Sequence, residues 1–169
     1  MVVFQSKNRY FKNAVILAVI LFVSSCGYHI RGAIDLPEEM KNIYVENASA
    51  ELLAGFRETL QFSSGNLVAS PEQAGIIVNV IDEDMDRRVL SLTATGKANE
   101  YKLDYLLDFE LLDAERGILM PKQTIELNRS YFTQQINVIG KAYEEQVIRE
   151  EMYRQAVSAI VSRARVAFR

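Results

Sequence analysis

EYKLDYLLDFELL, residues 100–112, decides the fold. Tyr101, Leu103, Tyr105, Leu107, Phe109 and Leu111 fall at every second position, with Lys102, Asp104, Asp108 and Glu110 between them. Side chains on a strand point alternately to opposite faces, so this pattern predicts an antiparallel strand with one face on a core and one in water.

The neighbours extend the sheet. Asp113 to Gly117 (DAERG) reads as a turn, and Ile118 to Phe132 reads as a returning strand with Ile125, Leu127 and Tyr131 on one side. Pro121 has no amide to give a ladder, which places it at an edge, a bulge or a strand end. Upstream, the β-branched run Ile76 to Ile81 (IIVNVI) predicts another strand, separated from residues 100–112 by a hairpin turn at Ala94-Thr95-Gly96-Lys97. Asn42 to Glu46 (NIYVE) and Leu67 to Ala69 are shorter strand candidates.

Two helices accompany these strands. Ser49 is placed to cap the first, with Leu52, Phe56 and Leu60 forming its buried stripe. Ser63-Ser64-Gly65 is expected to stop it, with Gly65 in the left-handed C-terminal conformation. The second is predicted over Lys141 to Phe168, with Ile148, Met152, Tyr153, Ala156, Val157, Ile160, Val161, Ala164 and Phe168 on the docking side. The expectation is an α+β domain with helices on one face of a mainly antiparallel sheet.

The N-terminus has a different character. Lys7, Arg9 and Lys12 precede the apolar run Ala14 to Val23, as in a secretory signal, and the run is too short to span a bilayer unaided. Val23-Ser24-Ser25-Cys26 resembles the bacterial lipobox, which implies a diacylglycerol on the Cys26 sulfur and an acyl group on its amine after cleavage. Two or more acyl chains anchor a soluble domain stably to a membrane. Gly27 stands where Asp tends to retain enterobacterial lipoproteins at the inner membrane, so an outer-membrane destination is expected. The division is thus 1–25 signal peptide, 26–40 lipidated tether, and 41–169 a single domain. Three of the 19 basic residues and none of the 22 acids precede Cys26, so the mature 144-residue chain carries a net charge of −6. Such a balance excludes a general nucleic-acid binder.

Catalytic and metal chemistry find little support. Cys26 is the only cysteine and His29 the only histidine. An acylated thiol leaves His29 nothing to activate, and zinc lacks its usual donors. Asp82-Glu83-Asp84-Met85-Asp86 has calcium-loop spacing, but Arg87 replaces the required Gly and Thr93 the bidentate Glu, so a solvated acidic stretch is expected. Thr95-Gly96-Lys97 lacks the upstream Gly of a phosphate loop. A lipid-anchored hydrolase would be left with Ser-Lys or paired-carboxylate chemistry. Against the acidic background stand Arg87, Arg88, Lys97, Lys102 and Lys141, candidates for a local phosphate site.

Cys26-Gly27-Tyr28-His29-Ile30-Arg31-Gly32 is similar to the mature start of the LptE family, the lipopolysaccharide-assembly lipoproteins of Gram-negative outer membranes. Asn99-Glu100-Tyr101-Lys102, Glu145-Gln146, Glu151-Met152-Tyr153 and Ala156 agree with the family in order. The resemblance implies two helices packed on a four-stranded sheet, no enzymatic activity and no cofactor beyond the acyl groups at Cys26. It implies a heterodimer with the β-barrel LptD, whose lumen the lipoprotein plugs from the periplasmic side, whose assembly it assists, and with which it delivers lipopolysaccharide to the outer leaflet. Lys141 matches a basic position of the family. The family's basic residue in the hairpin is not reproduced, since Ala94 and Thr95 stand there, with Lys97 nearby. The rival from the binding-module class is an unrelated outer-membrane lipoprotein acting as a periplasmic scaffold or holding peptidoglycan.

Overall fold

The computed structural model describes residues 36–132 and 138–168, with the side chains of 138–142 outside that set. In chain order the elements are β1 (Asn42–Glu46), α1 (Ala50–Leu60), β2 (Asn66–Leu67), β3 (Ile76–Leu92), β4 (Ala98–Leu112), β5 (Ile118–Phe132) and α2 (Val138–Ala167). The sheet order is β2-β1-β3-β4-β5.

The alternation in β4 organises the core. Leu103, Tyr105, Leu107, Phe109 and Leu111 are buried on one face, against Met152, Ala156, Val157, Ile160 and Ala164 of α2 and Leu52 and Phe56 of α1. Tyr153 meets Tyr105 edge-on at 5.1 Å between ring centres. The two helices approach closely at Gly55, where an added Cβ would lie 3.3 Å from Tyr153 Cβ.

Ser49 caps α1 as expected, its hydroxyl accepting from the Leu52 amide at 3.1 Å. Glu83 on β3 reinforces that cap from outside the helix. Its carboxylate accepts from the Ser49 amide at 2.9 Å, the Ser49 hydroxyl at 2.7 Å and the Tyr105 hydroxyl at 3.1 Å. Burial and the Glu83 charge both hold the Tyr105 phenol well above its ordinary value.

Several expectations require correction. The sheet has five strands rather than four and is mixed, because β1 lies parallel to both β2 and β3. A chain that returns through a crossover helix arrives pointing the same way, and α1 is that crossover between β1 and β2. The predicted strand Ile76–Ile81 runs on to Leu92, since the acidic and basic residues beyond Ile81 pair register by register with β4. The second face is not wet throughout: Ala74, Ile77 and Leu112 are buried there, with Tyr44 and Val68 against them. Gly65 does not adopt the left-handed conformation. It is pinned by space, since a Cβ there would fall 2.7 Å from the Leu36 side chain. The expectation for Pro121 holds: it lies on the edge strand β5, within a register irregularity against β4.

Adjacent residues of β4 offer a direct test of this register. Leu107→Ala is expected to destabilise by roughly 2–5 kcal/mol, the cost of emptying a core site. Leu106→Ala, on the opposite face and partly exposed, is expected to cost less than half as much. Denaturant midpoints of the two variants check this, and equal losses would contradict the assignment of faces.

Candidate functional site

Arg87, Arg88, Lys97 and Lys102 lie on the distal part of the β3–β4 hairpin, where the end of β5 pairs with the start of β4 and Glu145 of α2 bonds Arg87. The hairpin closes through Thr93 and Lys97, whose backbones bond at 2.7 Å, and through Gly96 at φ 76°, where a side chain would be strained. Lys97 is exposed at the tip, and no carboxylate lies within ion-pair distance of it among the described residues.

Strand alternation separates Arg87 from Arg88. Arg88 stands directly across from Lys102 on the face away from the helices. Two like charges opposite one another repel, and Asp104 relieves this by bonding Arg88 at 2.9 Å and Lys102 at 2.7 Å. Lys102 and then Arg88 hold the Asp104 carboxyl below its ordinary value. The trio retains one net positive charge.

Arg87 points to the helix side and is committed there. Its guanidinium lies 4.8 Å from the Tyr101 ring centre and donates to Glu145 of α2 at 2.9 Å. Tyr101 stacks on Tyr131 at 5.6 Å, and the Tyr131 hydroxyl also donates to Glu145. Arg149, one turn along α2, completes the set with two bonds to Glu145 at 2.7 and 2.9 Å. Partial burial by itself would raise the Glu145 pKa, but the donors Tyr131, Arg149 and Arg87 outweigh it and hold the carboxyl below its ordinary value. Burial, followed by the bond to Glu145, pushes the Tyr131 phenol up to about 12.

The five candidates therefore do not form one pocket. Arg88 and Lys102 form a pair on one face, Lys97 marks the tip, and Arg87 is tied to the helix on the other face. Lys141 belongs to the first turn of α2 at the same end, with its side chain outside the described residues. Cys26 also lies outside them. The Glu145 knot was missed in the sequence, although the i,i+4 spacing of Glu145 and Arg149 is a visible trace of it. Among the described residues no three His, Cys, Asp or Glu side chains are arranged to hold a metal.

The lipopolysaccharide-assembly family LptE matches residues 40–164 of the chain. The chain belongs to the LptE family. It is 24% identical to the LPS-assembly lipoprotein LptE of Pectobacterium atrosepticum over 163 residues, covering 92% of this chain and 84% of that one. Against the protein of the same name from Photorhabdus laumondii the figures are 23% over 144 residues, 84% and 78%. The solution NMR structure of lipoprotein B from Nitrosomonas europaea superposes with a TM-score of 0.64 at 25% identity, covering 82% of this chain and 90% of that one. The crystal structure of rare lipoprotein B from Shewanella oneidensis shares the fold, with a TM-score of 0.57. LptE proteins are non-enzymatic and work without a cofactor.

The Glu145 knot has a pH signature. Its folded-state pKa lies below the ordinary 4.5, so its stabilisation is present above that value and is lost as the pH falls toward the folded one. The Tyr131 contribution has the opposite sign: it is present below pH 10 and lost as the pH rises toward about 12. Glu145→Gln is expected to flatten the acid limb and to cost about 1–3 kcal/mol near neutrality, because charged donors lose their acceptor. Unfolding free energies of the two proteins across pH check both limbs, and superimposable acid limbs would remove Glu145 from this role.

Proposed function

We propose that this chain is an outer-membrane lipoprotein, acylated at Cys26, that plugs and helps assemble the LptD β-barrel and assists delivery of lipopolysaccharide to the outer leaflet. The observation that carries this reading is family membership over residues 40–164. Residues 1–25 are removed, residues 26–40 serve as the tether, and 41–169 fold as the plug. Gly27 directs the protein to the outer membrane.

Physical chemistry supports the parts. A plug in a polar barrel lumen must fold on its own core and present a polar surface. The described residues have such a core, and no buried side-chain nitrogen or oxygen among them lacks a partner. Lipopolysaccharide offers phosphates, which Lys meets as a point charge and Arg with two parallel bonds. Lys97 and Lys141 are the first candidate contacts. Arg88 and Lys102 hold a net charge in reserve beside Asp104, and Arg87 reaches a phosphate only by leaving Glu145.

Two experiments test the reading. Extracted from native membranes in mild detergent, the protein is expected to copurify in near-equal amount with one large outer-membrane barrel, whereas a chain that always travels alone contradicts the plug. Replacing Lys97 and Lys141 with Asp is expected to weaken lipopolysaccharide binding by about tenfold or more with unchanged circular dichroism, a loss of roughly 1.4 kcal/mol. Unaltered affinity in both variants removes these two residues from the site.

A further inference from the structure

One edge of the sheet is left open. β1 pairs with β3 only from Ile43↔Ile76 to Glu46↔Asn79. There the chain takes a positive φ of 62° at Asn47 and leaves the sheet for α1. From Val80 to Leu92, β3 is bonded to β4 on one side and has no strand on the other among the described residues. Its outward amides and carbonyls therefore form an unused ladder, the template on which an extended segment adds as a further strand.

The side chains along this edge fall into two halves. Asp82, Asp84 and Asp86 alternate on the face away from the helices, and no cation lies within ion-pair distance of any of them among the described residues. Asp82 faces Asp108 directly and Asp86 faces Asp104. Such cross-strand pairs are unfavourable, and nearby cations bond only their β4 members: Lys122 bonds Asp108, and Arg88 and Lys102 bond Asp104. The outer half carries Val89, Leu90 and Leu92, each about half exposed or more. Charge on an edge strand guards against unwanted pairing. That explains the acidic half and leaves the exposed apolar half without a reason.

We propose that the edge from Asp82 to Leu92 docks an extended segment of a partner polypeptide, one end basic and the other apolar. Antiparallel addition sets alternating Lys or Arg of the segment opposite Asp82, Asp84 and Asp86, with its apolar end beside Val89 to Leu92. This inference does not depend on the identity of the partner proposed above.

The test uses a synthetic peptide long enough to span Asp82–Leu92, alternating Thr with Val in its first half and Thr with Lys in its second. Added to the mature chain, it is expected to slow hydrogen exchange of alternate β3 amides between Asp82 and Leu92, while a scrambled peptide does not. Reversing Asp82, Asp84 and Asp86 to Lys is expected to weaken the complex by about tenfold or more, and replacing the peptide lysines with glutamates is expected to restore it. These aspartates are exposed and outside the core, so circular dichroism should not change. Protection on another element, equal binding of the scrambled peptide, or indifference to the charge reversal overturns the proposal, whether or not the chain copurifies with a barrel.

Discussion

The structure depends on one packing contact: the apolar face of β4 beneath the stripe of α2. Leu103, Tyr105, Leu107 and Phe109 are almost wholly removed from water, and so are Met152, Ala156, Val157 and Ile160 above them. Burying an aliphatic or aromatic side chain of this size contributes about 1.5–3 kcal/mol relative to exposure. With no disulfide available from a single cysteine, this seam and the contacts around it hold the domain together. The polar groups act at its margins: Glu83 joins the start of α1 to β3 and Tyr105, while Glu145 joins the start of α2 to β3 and β5.

That arrangement sets what the surface can do. Since both helices lie on one face, much of the other face and the distal hairpin remain exposed. The cations are distributed by strand parity rather than by proximity in sequence. Adjacent arginines go to opposite faces, Arg87 sharing Glu145 with Arg149 of the helix and Arg88 sharing Asp104 with Lys102. A protein of the LptE family needs contacts rather than chemistry, and an exposed sheet end with separated charges is suited to contact.

The helices and the antiparallel half of the sheet were legible in the sequence because period is a local property. The stripe from Ile148 to Ala164 and the alternation from Tyr101 to Leu111 each identify their element, and the observed α2 differs from its predicted bounds by a few residues at its start and one at its end. Strand order was not legible, because β1 and β2 are short and their parallel pairing depends on where α1 returns the chain. The sequence pattern ends the strand at Ile81 because Asp82 to Asp86 looks like a solvated run; pairing with β4 overrides that local polarity. Gly65 was misread for a related reason: the turn signal was visible, but the Leu36 side chain that excludes a Cβ comes from distant sequence. Of the candidate site, the residue types were legible and their partners were not, since Glu145 and Asp104 reach them only through the tertiary fold.

Family membership gives this chain a role in lipopolysaccharide assembly, and delivery to the cell surface is the part proposed above. Its most direct test is depletion of the protein in living cells, followed by pulse labelling of newly made lipopolysaccharide and measurement of the fraction accessible from outside. Surface-exposed new lipopolysaccharide is expected to fall steeply while its synthesis continues. Undiminished delivery in fully depleted cells would contradict it.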